Sequence, residues 1–546
     1  MKTKKVKLLS HFLILTLVCM VALSITVGCK KVATNETTAA ETTTAAETTT
    51  AAETTTAAET TAEGPKYGGK LVISLTGEPE HLDRGLMVSN SMMWATNPLN
   101  DFLVRWDLKT GKELEPRLAT GWEIIDEKTI KMNLRKGVKF HNGREVIAKD
   151  VKASIERALT NPEASMVRDF ISSVKEIEVV DDYTFIIHLS RADATILPGL
   201  TMVPIIPIEE EGNMKTNPVG CGPFKFASWE KGAMLRYVKN PDYWGKGKPY
   251  LDELIFIFQP EYSSQIASLK SGDADLVLWL DPNDVAAWRK EAPSGIKIDD
   301  GGYLPMHCYY FGFDMKEGPF ANNEKLRLAV KYAINREEIA SVVFHNIGQP
   351  KFSHIGADSE YYDPKWEYKM DLDKAKQLVV EAGYPNGITI EHYVPKTPNE
   401  EPLGIMLKDQ LGKIGINLDL KIIDVPSFID IVFVKKMGIS FTVGGGSFND
   451  PAILADKLLK TGGGANAFNF SNTQIDEWLT EARSTFDVEK RKELYSKVEM
   501  WRIENAAPYI AVVTDNGRSS AMAERVQGWT SQKNFVYDFT DVWVNK

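Results

Sequence analysis

The residues able to do chemistry are scattered along this chain rather than clustered. Past residue 28, histidines stand at 81, 141, 188, 307, 345, 354 and 392, without the spacing that lets two imidazoles share a metal on one helix face. The sequence holds no Gly-x-Ser-x-Gly elbow, no His-Glu-x-x-His, and no Gly-rich loop ending in Lys-Ser/Thr to cradle a phosphate. The acidic pairs Asp181-Asp182 and Asp299-Asp300 read as solvated turns. No catalytic residue, metal or cofactor is assigned, and the expected chemistry is recognition, not turnover. Catalytic triads assemble from distant positions, so a surface-anchored hydrolase stays as the reading of another class.

The one cysteine with an evident chemical context is Cys29. Lys2, Lys4, Lys5 and Lys7 precede an apolar run from Phe12 to Val27, the layout of a secretory signal peptide. A retained membrane helix is the competing reading. Ile25-Thr26-Val27-Gly28-Cys29 resembles a bacterial lipobox, with Thr26 where Leu is usual. Residues 1–28 are therefore expected to be removed and Cys29 to carry acyl chains that hold the protein on the membrane, at the cell surface or in a periplasm. Simple cleavage with an unmodified Cys29 is the alternative. Of the remaining cysteines, Cys221 and Cys308 are expected to be buried thiols; outside the cytoplasm they could also pair.

Charge narrows the partners. Residues 1–28 hold four Lys and no acid, so removing them leaves 60 basic against 74 acidic side chains, a formal charge of −14. No basic stripe with interleaved aromatics is present, which argues against nucleic acid and anionic lipid surfaces.

From Glu36 to Glu63 the chain repeats Glu-Thr-Thr-Thr-Ala-Ala. Thr triplets oppose helix and nothing large and apolar is available to bury, so residues 29–65 read as a lipidated cysteine plus a solvated tether. The periodic segments begin after it. Lys70 to Leu75 and Leu254 to Phe258 read as strands, and Ile130, Met132, Leu134 and Ile416, Leu418, Leu420, Ile422 alternate as half-buried strands do. Ala148, Val151, Ile155, Ala158 and Leu159 share a helical face. Asp371 can cap a helix that Gly383 stops, Asn335 with Glu338 has capping-box spacing, and Asp150 can cap the helix that follows it. Strands alternating with helices indicate an α/β protein.

Several segments carry a family resemblance. They are Glu78-Pro79-Glu80-His81-Leu82-Asp83, Leu114-Glu115-Pro116-Arg117-Leu118-Ala119, and Leu134-Arg135-Lys136-Gly137-Val138-Lys139-Phe140-His141-Asn142-Gly143 followed by Ala148-Lys149-Asp150-Val151. Pro218 to Phe224, Asn240-Pro241-Asp242-Tyr243-Trp244, Leu269 to Asp275, Arg327 to Arg336 and Lys374 to Tyr384 follow in order. Together they resemble family 5 of the ABC solute-binding proteins, the group of dipeptide, oligopeptide and nickel receptors.

That resemblance implies a type II periplasmic-binding-protein fold: two lobes joined by a hinge, the larger with an inserted subdomain. Carried over, lobe I takes residues 66–303 and 512–546, with the insert at 100–219, and lobe II takes 304–511. The chain would cross near Gly301–Tyr310 and Ala507–Thr514. A solute would be trapped between the lobes and passed, unaltered, to an ABC permease and ATPase complex by a monomeric receptor. A receptor of this fold can instead feed a sensor. Peptide-binding members often hold the peptide amine with an Asp in a Gly-Asp-x-x-Asp-Pro-like segment. Here that segment is Gly444-Gly445-Gly446-Ser447-Phe448-Asn449-Asp450-Pro451, with Ser447 at the amine position. A neutral hydroxyl cannot pair an ammonium by charge. This leaves an oligosaccharide or other neutral solute as the alternative ligand, or Asp450 as a substitute anchor that otherwise caps the next helix. The expected ligand contacts are Gly445, Gly446, Ser447, Phe448 and Asp450, with Trp94, Trp279, Tyr309 and Tyr310 as cleft aromatics and Ser89 and Asn97, near the first crossover, as lesser candidates. Tyr243 and Trp244 are expected to fill core.

Overall fold

A computed structural model describes residues 64–86, 89–299, 307–445, 449–514, 519–532 and 536–545. The signal, Cys29 and the tether up to residue 63 lie outside the described residues. Two mixed sheets organise the body. The first has seven strands in the order Ile296–Asp299, Ser520–Ala523, Leu276–Val277, Lys70–Leu75, Glu253–Phe258, Met234–Lys239, Phe224–Glu230. Lys70–Leu75 runs parallel to both of its neighbours and is buried from Leu71 onward, as its unbroken apolar run requires. The second sheet has six strands: Gln349–Pro350, Tyr509–Thr514, Cys308–Phe313, Ser440–Gly445, Ile388–Pro395, Ile416–Ile423. Cys308–Phe313, apolar on both faces, is buried throughout and lies in its interior.

A separate four-stranded antiparallel sheet, Ala119–Asp126, Thr129–Leu134, Thr184–Leu189, Val174–Asp181, falls within residues 100–219. The helix Ala148–Thr160 packs its Val151, Ile155 and Ala158 into a core shared with the first sheet. Asp150 is the third residue of this helix rather than its cap. Its carboxylate accepts the Ile147 N–H at 2.9 Å and pairs with Arg144 at 2.7 Å. Asn335 does cap its helix, accepting from the Glu338 N–H at 3.0 Å. The return bond expected of Glu338 comes instead from Gln410, whose Oε1 accepts the Asn335 N–H at 2.9 Å. Asp371 accepts from the Lys374 N–H at 2.9 Å, and Gly383 stands at φ 97° beyond the end of that helix.

The resemblance put Val512 and Val513 in lobe I. They belong to Tyr509–Thr514, a strand of the second sheet paired with Cys308–Phe313, so the return to the first sheet comes after Thr514. Tyr243 is buried, Trp244 packs partly buried against the core, and both have a polar edge. The Arg117 guanidinium donates to the Tyr243 hydroxyl at 2.7 Å, the Trp244 indole N–H to Asp101 at 2.8 Å, and Arg135 stacks on Trp244 at 4.1 Å. Cys221 and Cys308 are buried free thiols, and burial pushes both upward in pKa, Cys308 to about 11.

Contacts also join the two lobes directly. Asp193, fully buried in the first, holds Arg483 of the second at 3.2 Å, and Arg483 also pairs with Asp456 at 2.7 Å. Asn449 donates to the Gly111 carbonyl at 2.6 Å, and His345 meets Asn283 at 2.9 Å.

His392 occupies the core of the second lobe. Its Nδ1 and Nε2 each lie 2.8 Å from a hydroxyl, of Ser440 and Thr442, and its ring stacks on Phe311 at 4.5 Å. Ser440 donates onward to the Glu391 carbonyl at 3.1 Å, so it accepts from Nδ1–H and the imidazole is neutral. Burial lowers the His392 pKa to about 3. The unfolded chain protonates this histidine near pH 6.5, well before the folded one, so stability present above that pH falls as the medium acidifies toward pH 3. The limiting loss is on the order of 5 kcal/mol. Replacement His392→Asn keeps a donor and an acceptor. It is expected to flatten the denaturant-midpoint profile between those pH values, and an unchanged slope would count against this account.

Candidate functional site

A cavity of about 470 Å³ with aromatic walls lies between the lobes. Its first-lobe wall consists of Thr76, Tyr262, Trp279, Leu280, Asp281 and Pro282; its second-lobe wall of His307, Tyr309, Thr397, Pro398, Asn399, Glu400 and Gly444. The topology explains this assembly. Thr76 follows the C-terminal end of Lys70–Leu75, Trp279 that of Leu276–Val277, and Thr397 that of Ile388–Pro395. Gly444 nears the C-terminal end of Ser440–Gly445. Open α/β sheets form their ligand crevices at the carboxyl ends of strands, where the chain turns away and leaves side chains and backbone amides uncovered.

Each wall is fixed from behind. Asp281 caps the helix Pro282–Trp288 through the Asn283 N–H at 2.8 Å. The Tyr262 hydroxyl donates to Asp284 at 2.5 Å and accepts the Asp281 N–H at 3.1 Å; burial and Asp284 together raise its pKa. Trp279 is 41% exposed, and the 5%-exposed Trp94 packs edge-on behind it at 6.5 Å. On the other wall the Tyr309 phenol accepts from the Asn399 amide at 2.9 Å, with its ring against Phe344 and His307 at 5.2 and 5.1 Å. Gly444 pairs across strands with Tyr309, and a Cβ there would stand 2.5 Å from the ring. Only glycine allows that approach. Thr397 donates to Glu400 and accepts the Glu400 N–H at 3.1 Å, which turns the Glu400 carboxylate toward the Gly444 N–H at 3.4 Å.

A second groove of about 510 Å³ adjoins this cavity and shares Asp281, Pro282 and Pro398 with it. Val342 and Ile405, each more than half exposed, line it. Among the described residues there is no group of three His, Cys, Asp or Glu placed to hold a metal, and no helix long and apolar enough to cross a membrane.

Of the residues expected at the site, Trp279 and Tyr309 line the cavity and Trp94 supports Trp279. Tyr310 does not reach it. Consecutive strand residues face opposite ways, and Tyr310 packs into the core against Tyr509, Phe468 and Phe441 at 5.1, 5.8 and 6.4 Å. Gly445 ends the strand beside Cys308; Gly446, Ser447 and Phe448 lie outside the described residues. Asp450 is corrected from ligand contact to structure. It caps the helix Pro451–Leu459, accepting from the Ala452 N–H at 2.9 Å, and binds Arg491 at 2.7 and 2.9 Å. Asp450 instead borders a cavity of about 30 Å³ beside Trp106 and Tyr361, too small for a peptide. Asn97 is tied to the Tyr537 carbonyl at 2.9 Å, and Ser89 caps the helix Asn90–Thr96. The sequence reading missed Tyr262, Asp281, His307, Thr397, Asn399 and Glu400. For Thr397, Asn399 and Glu400 the one signal was the Pro- and Asn-bearing turn Thr397-Pro398-Asn399-Glu400 between a strand and a helix.

Residues 113–466 match the middle region of the bacterial extracellular solute-binding proteins, family 5. The chain belongs to that family. Its relatives include the heme-binding protein A of Haemophilus influenzae, 29% identical over 79% of this chain and 84% of that protein. The oligopeptide-binding protein AppA of Bacillus subtilis is 27% identical over 88% of this chain and 93% of its own length. Among solved structures, the periplasmic binding protein DppA of Helicobacter pylori, in complex with the peptide STSA, is 25% identical and superposes with a TM-score of 0.73. That match covers 88% of this chain and 99% of the other. The two-lobed α/β fold of this solute-binding family is thus the fold of this chain.

Asp450→Ala in this family 5 protein leaves the buried Arg491 guanidinium without its carboxylate. The expected cost is about 3–5 kcal/mol of stability, seen as a lower melting temperature. Ligand affinity should stay within a few-fold of wild type. A loss of affinity without a loss of stability would return Asp450 to the binding site.

Proposed function

We propose that this protein captures peptides between its lobes and delivers them unaltered to the permease of an ABC importer, while Cys29 holds it on the outer face of a membrane. The observation that carries this reading is the inter-lobe cavity. Its wall combines an exposed indole, Trp279, with polar groups suited to a peptide backbone: the Asn399 amide, the Thr76 and Thr397 hydroxyls and the Gly444 backbone. Pockets of this kind orient a ligand with a few polar contacts and gain affinity from apolar surface. The adjoining groove gives an extended ligand room to continue past Pro282 and Pro398. AppA and DppA, named above, carry peptide binding in their own descriptions.

Bridging contacts to both walls exist only when the lobes are together, so a bound peptide shifts the population toward the joined arrangement. A permease that reads that arrangement then distinguishes loaded from empty receptor. Nothing in this scheme breaks a bond in the ligand.

A thermal-shift screen of the chain lacking residues 1–28, against tripeptides, oligosaccharides and chelated nickel, tests the reading. A peptide at a hundredfold excess over its Kd should stabilise the protein by about 2.7 kcal/mol. The peptide should be recovered intact, and Trp279→Ala should weaken its binding about tenfold or more. Stabilisation by an oligosaccharide alone, or hydrolysis of the peptide, overturns the proposal.

The anchor has its own test. With two or more acyl chains at Cys29 the wild-type protein sediments with membranes. Cys29→Ser should move it to the soluble extracytoplasmic fraction, and continued sedimentation would point to a retained apolar helix instead.

A further inference from the structure

We propose that Arg84 is the base of a second binding site, enclosed in the first lobe, for a small and weakly hydrated monovalent anion of the chloride or bromide kind. Arg84 and its neighbours Phe102 and Met202 are not among the residues that line the inter-lobe cavity, so the inference holds whichever solute that cavity takes.

The observation is a buried cation without a counter-ion. Arg84 opens the turn Arg84–Leu86 and is fully buried. Its planar head carries five N–H donors. Among the described residues, Nε and Nη1 find no hydrogen-bond partner, and Nη2 has only the Met202 thioether at 4.0 Å, a weak acceptor. The Phe102 ring centroid stands 5.6 Å from the guanidinium carbon, near the outer limit of a cation–π contact. The acid next to it in sequence is already engaged. Asp83, itself buried, binds Arg157 through both carboxylate oxygens and accepts the Gly85 N–H at 3.1 Å. Arg157 in turn reaches Glu211 at 2.6 Å. Burial lowers the Arg84 pKa to about 10, so the group still carries its charge at neutral pH.

A charge buried without compensation is among the costliest features a fold can hold. A buried lysine or histidine escapes by releasing its proton; a guanidinium does not. An anion taken from solution removes the cost, because it accepts several N–H bonds at once and cancels the charge. The walls select the anion. A thioether and a phenyl face are soft and polarisable, and neither offers a donor to replace lost water. A strongly hydrated ion such as fluoride or sulfate gives up too much solvation to enter, whereas chloride and bromide give up less. The site also has a place in the architecture. The turn Arg84–Leu86 precedes the helix Asn90–Thr96, whose Trp94 backs the exposed Trp279 of the cleft. Neutralising Arg84 steadies the segment that supports that wall.

The test compares wild type with Arg84→Met, which fills the space with an uncharged side chain, both as the chain lacking residues 1–28. Urea unfolding is followed at fixed ionic strength while sodium bromide replaces sodium fluoride. The ratio of the two folding constants, wild type over variant, cancels the general effect of exchanging the salts. Once bromide exceeds its Kd, that ratio should rise about tenfold for each tenfold in bromide. Wild-type crystals grown in sodium bromide should show anomalous density within hydrogen-bond reach of Nε or Nη1 of Arg84. A ratio that stays flat across the series overturns the proposal. Bromide found elsewhere on the protein and not at Arg84 is an adventitious ion only, and overturns it as well. If Arg84→Met does not fold, the anomalous map of the wild type decides alone.

Discussion

The constraint on which this molecule depends is that its chain passes between two sheets twice, on adjacent strands. The outward passage leaves Ile296–Asp299 and enters Cys308–Phe313; the return leaves Tyr509–Thr514 and enters Ser520–Ala523. Within each sheet the two strands concerned are antiparallel neighbours. Because the strands on either side of both passages are neighbours within each sheet, a hinge there would leave every ladder of backbone hydrogen bonds intact. Nearly everything else follows. Each lobe must be stable alone, the surfaces between them must be separable, and the cavity must open where the strands end.

The buried charges show how each lobe meets the first requirement. In the second lobe, burial opposes ionisation of Glu499, yet Arg502 and His354 beside it hold the carboxyl at about 2. Asp450 and Arg491 form a second closed pair, and Arg336 donates to the carbonyls of Lys351 and Ala511 at 2.8 Å each. Asp101, Arg117, Tyr243 and Trp244 do the same in the first lobe. Breaking such a group strands a charge in a low-dielectric interior, which makes each arrangement close to all-or-none. The lobes therefore behave as bodies that move whole, and a ligand's binding energy acts on the angle between them.

This division explains what the sequence disclosed. Arg117, Asp150, Tyr243 and Trp244 lie in the segments that carry the family resemblance, and all four work inside the fold. They identify an architecture without touching the cleft. Strands and helices were legible because burial imposes a period of two or of 3.6 on apolar residues. Cavity residues obey no such period. Tyr309 and Tyr310 were indistinguishable as sequence, yet one faces the cleft and the other the core, because the pleat alternates and nothing in an all-apolar strand shows which face is which. Asp450 resembled a binding acid because a cap before Pro and an anchor before Pro look alike in one dimension; its partner Arg491 lies 41 residues away. Thr397 to Glu400 sit in a turn and carry only the mark of turns.

The same logic gives the cleft a division of labour. Trp279 and the Gly444 backbone offer surface and peptide hydrogen bonding that tolerate many side chains. Their contribution grows with area and is nearly blind to sequence. Charge behaves differently, because dewatering the cavity raises the cost of an uncompensated carboxylate and the gain from a compensated one together. The acidic wall also bears on the surroundings: with a formal charge of −14 past residue 28, the protein's field attracts cationic solutes generally. Long-range attraction is screened within about 8 Å at physiological salt, whereas the field inside a joined cleft is not.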